Sequence, residues 1–231
     1  MKRGKKYQDL AKKMPTSAVS LEEAITFVKA NPMAKFDETL EMGMRMGVDT
    51  SKTDQVVRGT VNLPHGTGKT VKVVVFAQGA AADAATAAGA DEVGMVELLE
   101  KVKGGWTDFD VAIATPEAMT EVRKLARVLG PRGLMPNPKT GTVTDDTAAA
   151  VKSSKAGKVE FRMDRNGNIC VPFGKRSFSV EALAANANAL MEAIRAERPA
   201  AAKGQFIRSL TVSSTMGVGV RVVVKAEAVK E

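Results

Sequence analysis

The segment from Leu129 to Val143, LGPRGLMPNPKTGTV, forbids more than any other part of the chain. Pro131, Pro136 and Pro138 alternate with Gly130, Gly133 and Gly141. Proline fixes φ and removes a backbone donor, while glycine reaches angles closed to other residues. No helix or central strand fits here, so a long loop of one preferred shape must join the elements on either side. Its only charges are Arg132 and Lys139. A cationic loop without acids suits a phosphate better than a metal or an apolar ligand.

Upstream of this loop the pattern is that of a small α/β sheet. Val71 to Phe76 is a continuous apolar run, as expected of a strand covered on both faces. A helix is expected from Ala80 to Ala88, another from Met95 to Lys103, and a strand from Phe109 to Ala114. Thr115-Pro116-Glu117 then opens a helix that stops at Gly130. Alternating strands and helices imply a small, mostly parallel, Rossmann-like sheet.

The flanking segments have a different texture. Ser20 and Glu23 form a capping-box signature for a helix closed by Asn31-Pro32. Phe36 to Val48 alternates, with Leu40, Met42, Met44 and Met46 on one face and Glu38 as the exception. Methionines at that spacing beside Leu and Val are core packing before they are a soft-metal site. A second strand is expected from Gln55 to Asn62. Val159 to Met163 and Asn168 to Phe173 flank Asp164-Arg165-Asn166-Gly167 as a hairpin. Ser179 caps a helix from Val180 to about Arg198, with Leu183, Leu190, Met191 and Ile194 as its stripe. Strands from Phe206 to Ser213 and Gly219 to Ala226 follow.

Charge separates the same two regions. Residues 67–158 carry 12 basic and 11 acidic side chains, a net of +1, whereas 1–66 plus 159–231 carry 22 and 15, a net of +7. The expected organisation is therefore a discontinuous α+β domain, 1–66 plus 159–231, with a split β-α-β-like antiparallel or mixed sheet. An α/β domain, 67–158, is inserted into it. A basic surface suits a polyanionic partner, since bound Lys and Arg displace counterions from phosphates. A merely soluble basic surface fits the charge equally well.

Several function classes are poorly served. His65 is the sole histidine, so neither a His-based metal cluster nor a second His general base can be built. Carboxylates are scattered without paired spacing, and Cys170 lies in an expected strand, where a buried inert thiol is usual. The default is a non-enzyme with no catalytic residue, cofactor or metal. Gly66-Thr67-Gly68-Lys69-Thr70 resembles the end of a phosphate-binding loop. However, Leu63 stands where its first glycine belongs, and Lys69 leads into a strand instead of a helix. A nucleotide-dependent enzyme using Gly66 to Thr70 is the runner-up reading, and a general nucleic-acid-binding protein is the third. The single cysteine points to a reducing cytoplasm. The basic start lacks an apolar core after it, and no run approaches the roughly 20 apolar residues of a membrane helix.

Lys or Arg beside an aromatic residue or glycine turn recurs at Lys35-Phe36, at Phe173-Gly174-Lys175-Arg176-Ser177-Phe178 and near Thr215-Met216-Gly217. Freed amides, hydroxyls and cations together suit RNA phosphates and 2′-hydroxyls.

Six segments in order, Lys35 to Thr39, Asp54 to Gly59, Leu63 to Gly68, Leu129 to Val143, Gly174-Lys175 with Phe178, and Ser214 to Gly217, carry a family resemblance. The chain resembles the bacterial large-subunit ribosomal stalk proteins of the L-one family over nearly its whole length. That resemblance implies the two-domain fold above and binding to the large-subunit ribosomal RNA of the mobile stalk beside the tRNA exit site. It also implies help in releasing deacylated exit-site tRNA and repression of the protein's own mRNA. The implied setting is the cytoplasmic ribosome, with no membrane partner, and the protein is a monomer off the ribosome. Carried over by position, the implied RNA-binding residues are Lys35, Phe36, Thr39, Lys175, Ser177, Thr215, Met216 and Gly217, with Arg162 and Arg3 as further phosphate partners.

Overall fold

In the computed structural model, which describes residues 4–202 and 204–224, the capping box at Ser20 closes as its spacing requires. The Glu23 amide donates to Ser20 Oγ at 3.3 Å, and the Ser20 amide donates to Glu23 Oε2 at 3.1 Å. These bonds satisfy amides that a helix start leaves without intrahelical partners. In chain order the elements are α1 (Lys5–Lys13), α2 (Leu21–Ala30), β1 (Thr39–Met46), β2 (Arg58–Asn62), β3 (Val73–Phe76), α3 (Ala80–Ala87), β4 (Glu92–Gly94) and α4 (Val96–Lys103). They continue with β5 (Val111–Ala114), α5 (Met119–Val122), α6 (Ala126–Leu129), α7 (Thr147–Ala156), β6 (Lys158–Arg162), β7 (Asn168–Lys175), α8 (Val180–Ala196), β8 (Ile207–Ser214) and β9 (Val220–Val222). Two compact units result, one from the segments up to Gly68 and from Val159 onward, the other from Lys69–Lys158. Thr67 and Gly68 fall in the first unit. A Cβ at Gly68 would lie 2.9 Å from Lys175 Cγ and 3.0 Å from the Phe178 ring of that unit.

The first unit is built on an antiparallel sheet of order β7-β1-β8-β9. Strands β7 and β8 both run antiparallel to β1, hence parallel to each other, and α8 connects them. This is a split β-α-β unit with β1 between its two strands. Leu40, Met42, Met44 and Met46 point into one core with Ile169, Val171, Phe173, Leu210 and Val212. Ile25 and Val28 of α2 and Leu183, Leu190 and Ile194 of α8 complete it, while Met191 is only partly buried. Each large side chain buried here contributes about 1.5–3 kcal/mol relative to exposure.

The expected hairpin is corrected. Its turn exists, closed by the Asp164 amide donating to the Asn168 carbonyl at 2.8 Å. Its arms, however, join different sheets: β6 pairs with β2, and β7 with β1. The turn carries the chain from one sheet to the next.

In the second unit β3 lies between β4 and β5, all parallel. Val73, Val75 and Ile113 pack on one side with Ala85 and Val151 of α3 and α7. Val74, Phe76, Ala112 and Ala114 pack on the other with Leu98, Val102, Val122 and Leu129. This two-sided burial accounts for the unbroken apolar run. The helix expected from Thr115 to Gly130 is interrupted by a 3-10 turn over Arg123–Leu125. In the Pro/Gly loop, Asn137 Oδ1 accepts the Lys139 amide at 2.9 Å, and Val143 bridges Ala114 in parallel. Its shape thus extends the edge of the sheet beside β5. Arg132 donates to Thr107 Oγ1, so one of the loop's two cations is bound within the unit.

Candidate nucleic-acid interface

The period-two pattern of β1 buries its methionines and leaves Thr39, Glu41, Gly43 and Arg45 on the opposite face. At the start of β1, three segments far apart in sequence meet on Thr39. Its amide donates to Thr215 Oγ1 at 3.1 Å, and its carbonyl accepts the Thr215 amide at 3.0 Å and the Thr215 hydroxyl at 3.3 Å. Lys175, the last residue of β7, donates from Nζ to Thr39 Oγ1 at 2.8 Å. The Gly217 amide closes the next turn on the Ser214 carbonyl at 3.1 Å. A Cβ at Gly217 would lie 2.4 Å from Ser214 Oγ, so any larger residue there needs that hydroxyl to turn aside.

Two large apolar side chains flank this junction in sequence and stand in solvent: Phe36 is 55% exposed and Met216 57%. Exposed apolar groups beside cations suit the stacking of bases, worth about 1–3 kcal/mol per base. Ser177 is held by Asp37, whose Oδ1 accepts the Ser177 amide at 3.1 Å and whose Oδ2 accepts its hydroxyl at 2.8 Å. Lys35 is exposed on the same loop as Phe36. The structure therefore groups Thr39, Lys175, Thr215, Met216 and Gly217 at one junction and joins Ser177 to the Lys35–Asp37 loop. Glu38 breaks the alternation because it is an anchor: it is fully buried and its Oε2 accepts the Met33 amide at 3.3 Å. Its Oε1 and Ser214 Oγ are buried without a hydrogen-bond partner. Both lie directly behind the Thr39–Thr215 pairing in sequence, and such orphaned groups are uncommon in a finished fold.

Arg162 stands apart. It ends β6, just before the Asp164–Gly167 turn, and that turn meets the Met46 end of β1: the Met46 amide donates to the Gly167 carbonyl at 2.7 Å. At about 3.3 Å per residue, this end is roughly 20 Å along the strand from Thr39. Arg3 lies outside the described residues. Register reveals groups that sequence inspection missed. Ser213, Thr211 and Ser209 of β8 lie opposite Glu41, Gly43 and Arg45 on the sheet's open face. Only cross-strand pairing brings these hydroxyls together, so no local motif marks them.

Cys170 is in β7 but exposed, a correction to the buried thiol expected of it. Partial desolvation and the Glu41 carboxylate, 3.6 Å away, push its thiol pKa up, away from thiolate reactivity. Lys69, the cation of the loop resembling a nucleotide site, pairs with Asp110 at 2.5 Å. Among the described residues, no group of three or more His, Cys, Asp or Glu side chains could hold a metal ion. Nor is any helix long and apolar enough to cross a membrane.

The sequence model of the Ribosomal protein L1p/L10e family matches residues 28–218. The chain is similar to the large ribosomal subunit protein uL1 of Cutibacterium acnes, with 56% identity over 223 residues and 96% of each chain covered. It is also similar to the large ribosomal subunit protein uL1 of Kosmotoga olearia, with 52% identity over 221 residues that cover 95% of this chain and 96% of the relative.

Proposed function

Because the chain belongs to the Ribosomal protein L1p/L10e family, we propose that it is a structural, non-enzymatic protein of the large ribosomal subunit that grips ribosomal RNA through its first unit. Its place of work is then the cytoplasmic ribosome. The Thr39–Thr215–Lys175 junction, with Phe36 and Met216 exposed around it, carries the reading. It offers hydroxyls for 2′-OH groups, an ammonium for phosphate and two apolar platforms for bases.

Three finer roles rest on the family resemblance: placement at the mobile stalk beside the tRNA exit site, assistance to departing deacylated tRNA, and repression of the protein's own mRNA. The first is tested by sequencing RNA that the full-length protein protects from nuclease in total cellular RNA. One large-subunit ribosomal segment, and a similarly folded segment of its own message, are the expected products. Random protection, or preference for duplex DNA, would overturn the reading. Ribosomes lacking the protein should hold deacylated tRNA longer in the exit site; unchanged release would remove that role. Sedimentation of the free protein as a monomer is expected.

A further inference from the structure

Beside the junction, the end of α2, the loop before β1 and the turn after β7 surround an open cavity of about 470 Å³. Lys29, Lys35, Asp37, Arg176 and Ser177 line it. Its walls are tied by one backbone bond, the Arg176 amide donating to the Glu38 carbonyl at 2.9 Å, and by Lys29 Nζ donating to the Phe178 carbonyl. Asp37 is the one carboxylate present, and both of its oxygens already accept hydrogen bonds from Ser177. Among the described residues no carboxylate lies within ion-pair distance of Lys29, Lys35 or Arg176. Three cations against one engaged carboxylate leave an excess of two positive charges around a cavity open to solvent.

Resting on the RNA-binding reading above, we propose that this cavity is a phosphate subsite that seats one backbone phosphate of the bound RNA. Arg176 supplies the forked N–H pair that matches phosphate oxygens, and Lys29 and Lys35 add point charges from the two other walls. Neighbours in sequence link the subsite to the junction: Lys175 precedes Arg176, and Phe36 follows Lys35. A strand whose base stacks on Phe36 can therefore run its backbone into the cavity.

The test compares full-length parent, Arg176→Gln, Arg176→Lys and Thr215→Val for binding the protected ribosomal RNA segment at several salt concentrations. Arg176→Gln should weaken binding roughly tenfold near 0.1 M salt and lower the slope of log K against log salt by about one. Arg176→Lys should restore the slope but not the full affinity, with both melting temperatures at the parent's value. If Arg176→Gln instead unfolds more readily, the parent and Arg176→Lys are read against RNAs carrying single neutral methylphosphonate linkages. One linkage should weaken the parent about tenfold and Arg176→Lys less. Absence of any such linkage overturns the proposal. A titration with inorganic phosphate, followed at the Arg176 and Ser177 amides, covers the other source of this chemistry. Tight phosphate binding with RNA affinity untouched by Arg176→Gln makes the cavity a free-anion site and also overturns it. If Arg176→Gln binds RNA like the parent while Thr215→Val does not, only the subsite falls. If the parent itself fails to bind, the RNA reading falls with it.

Discussion

The two units place their cations differently, although each holds ion pairs, Arg58 with Glu160 in the first among them. In the second, five lysines are paired nearby: Lys69 with Asp110, Lys72 with Asp108, Lys101 with Glu92, Lys124 with Glu121 and Lys155 with Asp91. Its net charge is +1 from 12 basic and 11 acidic residues. In the first, Lys29, Lys35, Lys175 and Arg176 gather at one end of the antiparallel sheet, where the described residues give them no ion pair. Exposed ion pairs contribute little stability, typically below about 1 kcal/mol. What the pairing changes is availability, because a paired cation must give up its partner before it can neutralise a phosphate. The difference also reassigns the Pro/Gly loop. Its constrained shape belongs to the sheet edge of the second unit, and the exposed cations beside apolar platforms lie in the first.

If this contrast holds, damage at the junction should dominate. Lys175→Met and Thr215→Val are each expected to cut affinity for the ribosomal RNA segment about 30-fold, roughly 2 kcal/mol, while the lost bonds to Thr39 lower the melting temperature by only a few degrees. Filter binding and thermal melting together check this. Parental affinity in both variants would break the contrast at its centre. Met216→Ala removes only an apolar platform and should cost ~1 kcal/mol, about fivefold in affinity. Equal loss on structured and on unstructured RNA would show that Met216 stacks without selecting.

The second unit should respond to pH and not to RNA. Asp91 Oδ2 accepts the Val73 amide at 2.8 Å, and this bond, aided by Lys155, holds the Asp91 carboxyl pKa below its ordinary value. A depressed folded pKa contributes stability that is present above the unfolded value, near about 4, and is lost as pH falls through the folded value. Asp91→Asn should therefore lower the neutral-pH melting temperature of the second unit by a few degrees, and the gap from the parent should close in acid. Trp106, the only tryptophan, packs at 5.3 Å on Phe109 of that unit and reports the transition by fluorescence. RNA affinity at neutral pH should be unchanged.

What could be read in the sequence was local. The caps at Ser20 and Ser179, the turn at Asp164–Gly167 and the apolar run ending at Phe76 each announce themselves within a few residues. What stayed hidden depends on distant partners. β4 has three residues and exists through its parallel pairing with β3. α1 buries one side chain, Leu10, in a stretch whose sequence shows only a basic start. The sheet that β6 joins is decided by β2, not by the adjacent turn. At the site, family motifs named Thr39, Lys175 and Thr215, but bonds across 136 and 176 residues of sequence bring them together. Arg176 stands in a basic motif of the sequence, but only the fold sets it beside Lys29 and Lys35; the β8 hydroxyls need register, and Arg162 lies in the β2–β6 sheet.

The most direct test is the salt dependence of RNA binding in two full-length variants of equal charge change. One carries Lys35→Gln and Lys175→Gln, the other Lys101→Gln and Lys124→Gln. The slope of log K against log salt is predicted to fall by about two in the first and to match the parent in the second. An equal fall in both, or a fall only in the second, would contradict the assignment of RNA binding to the unpaired cations of the first unit.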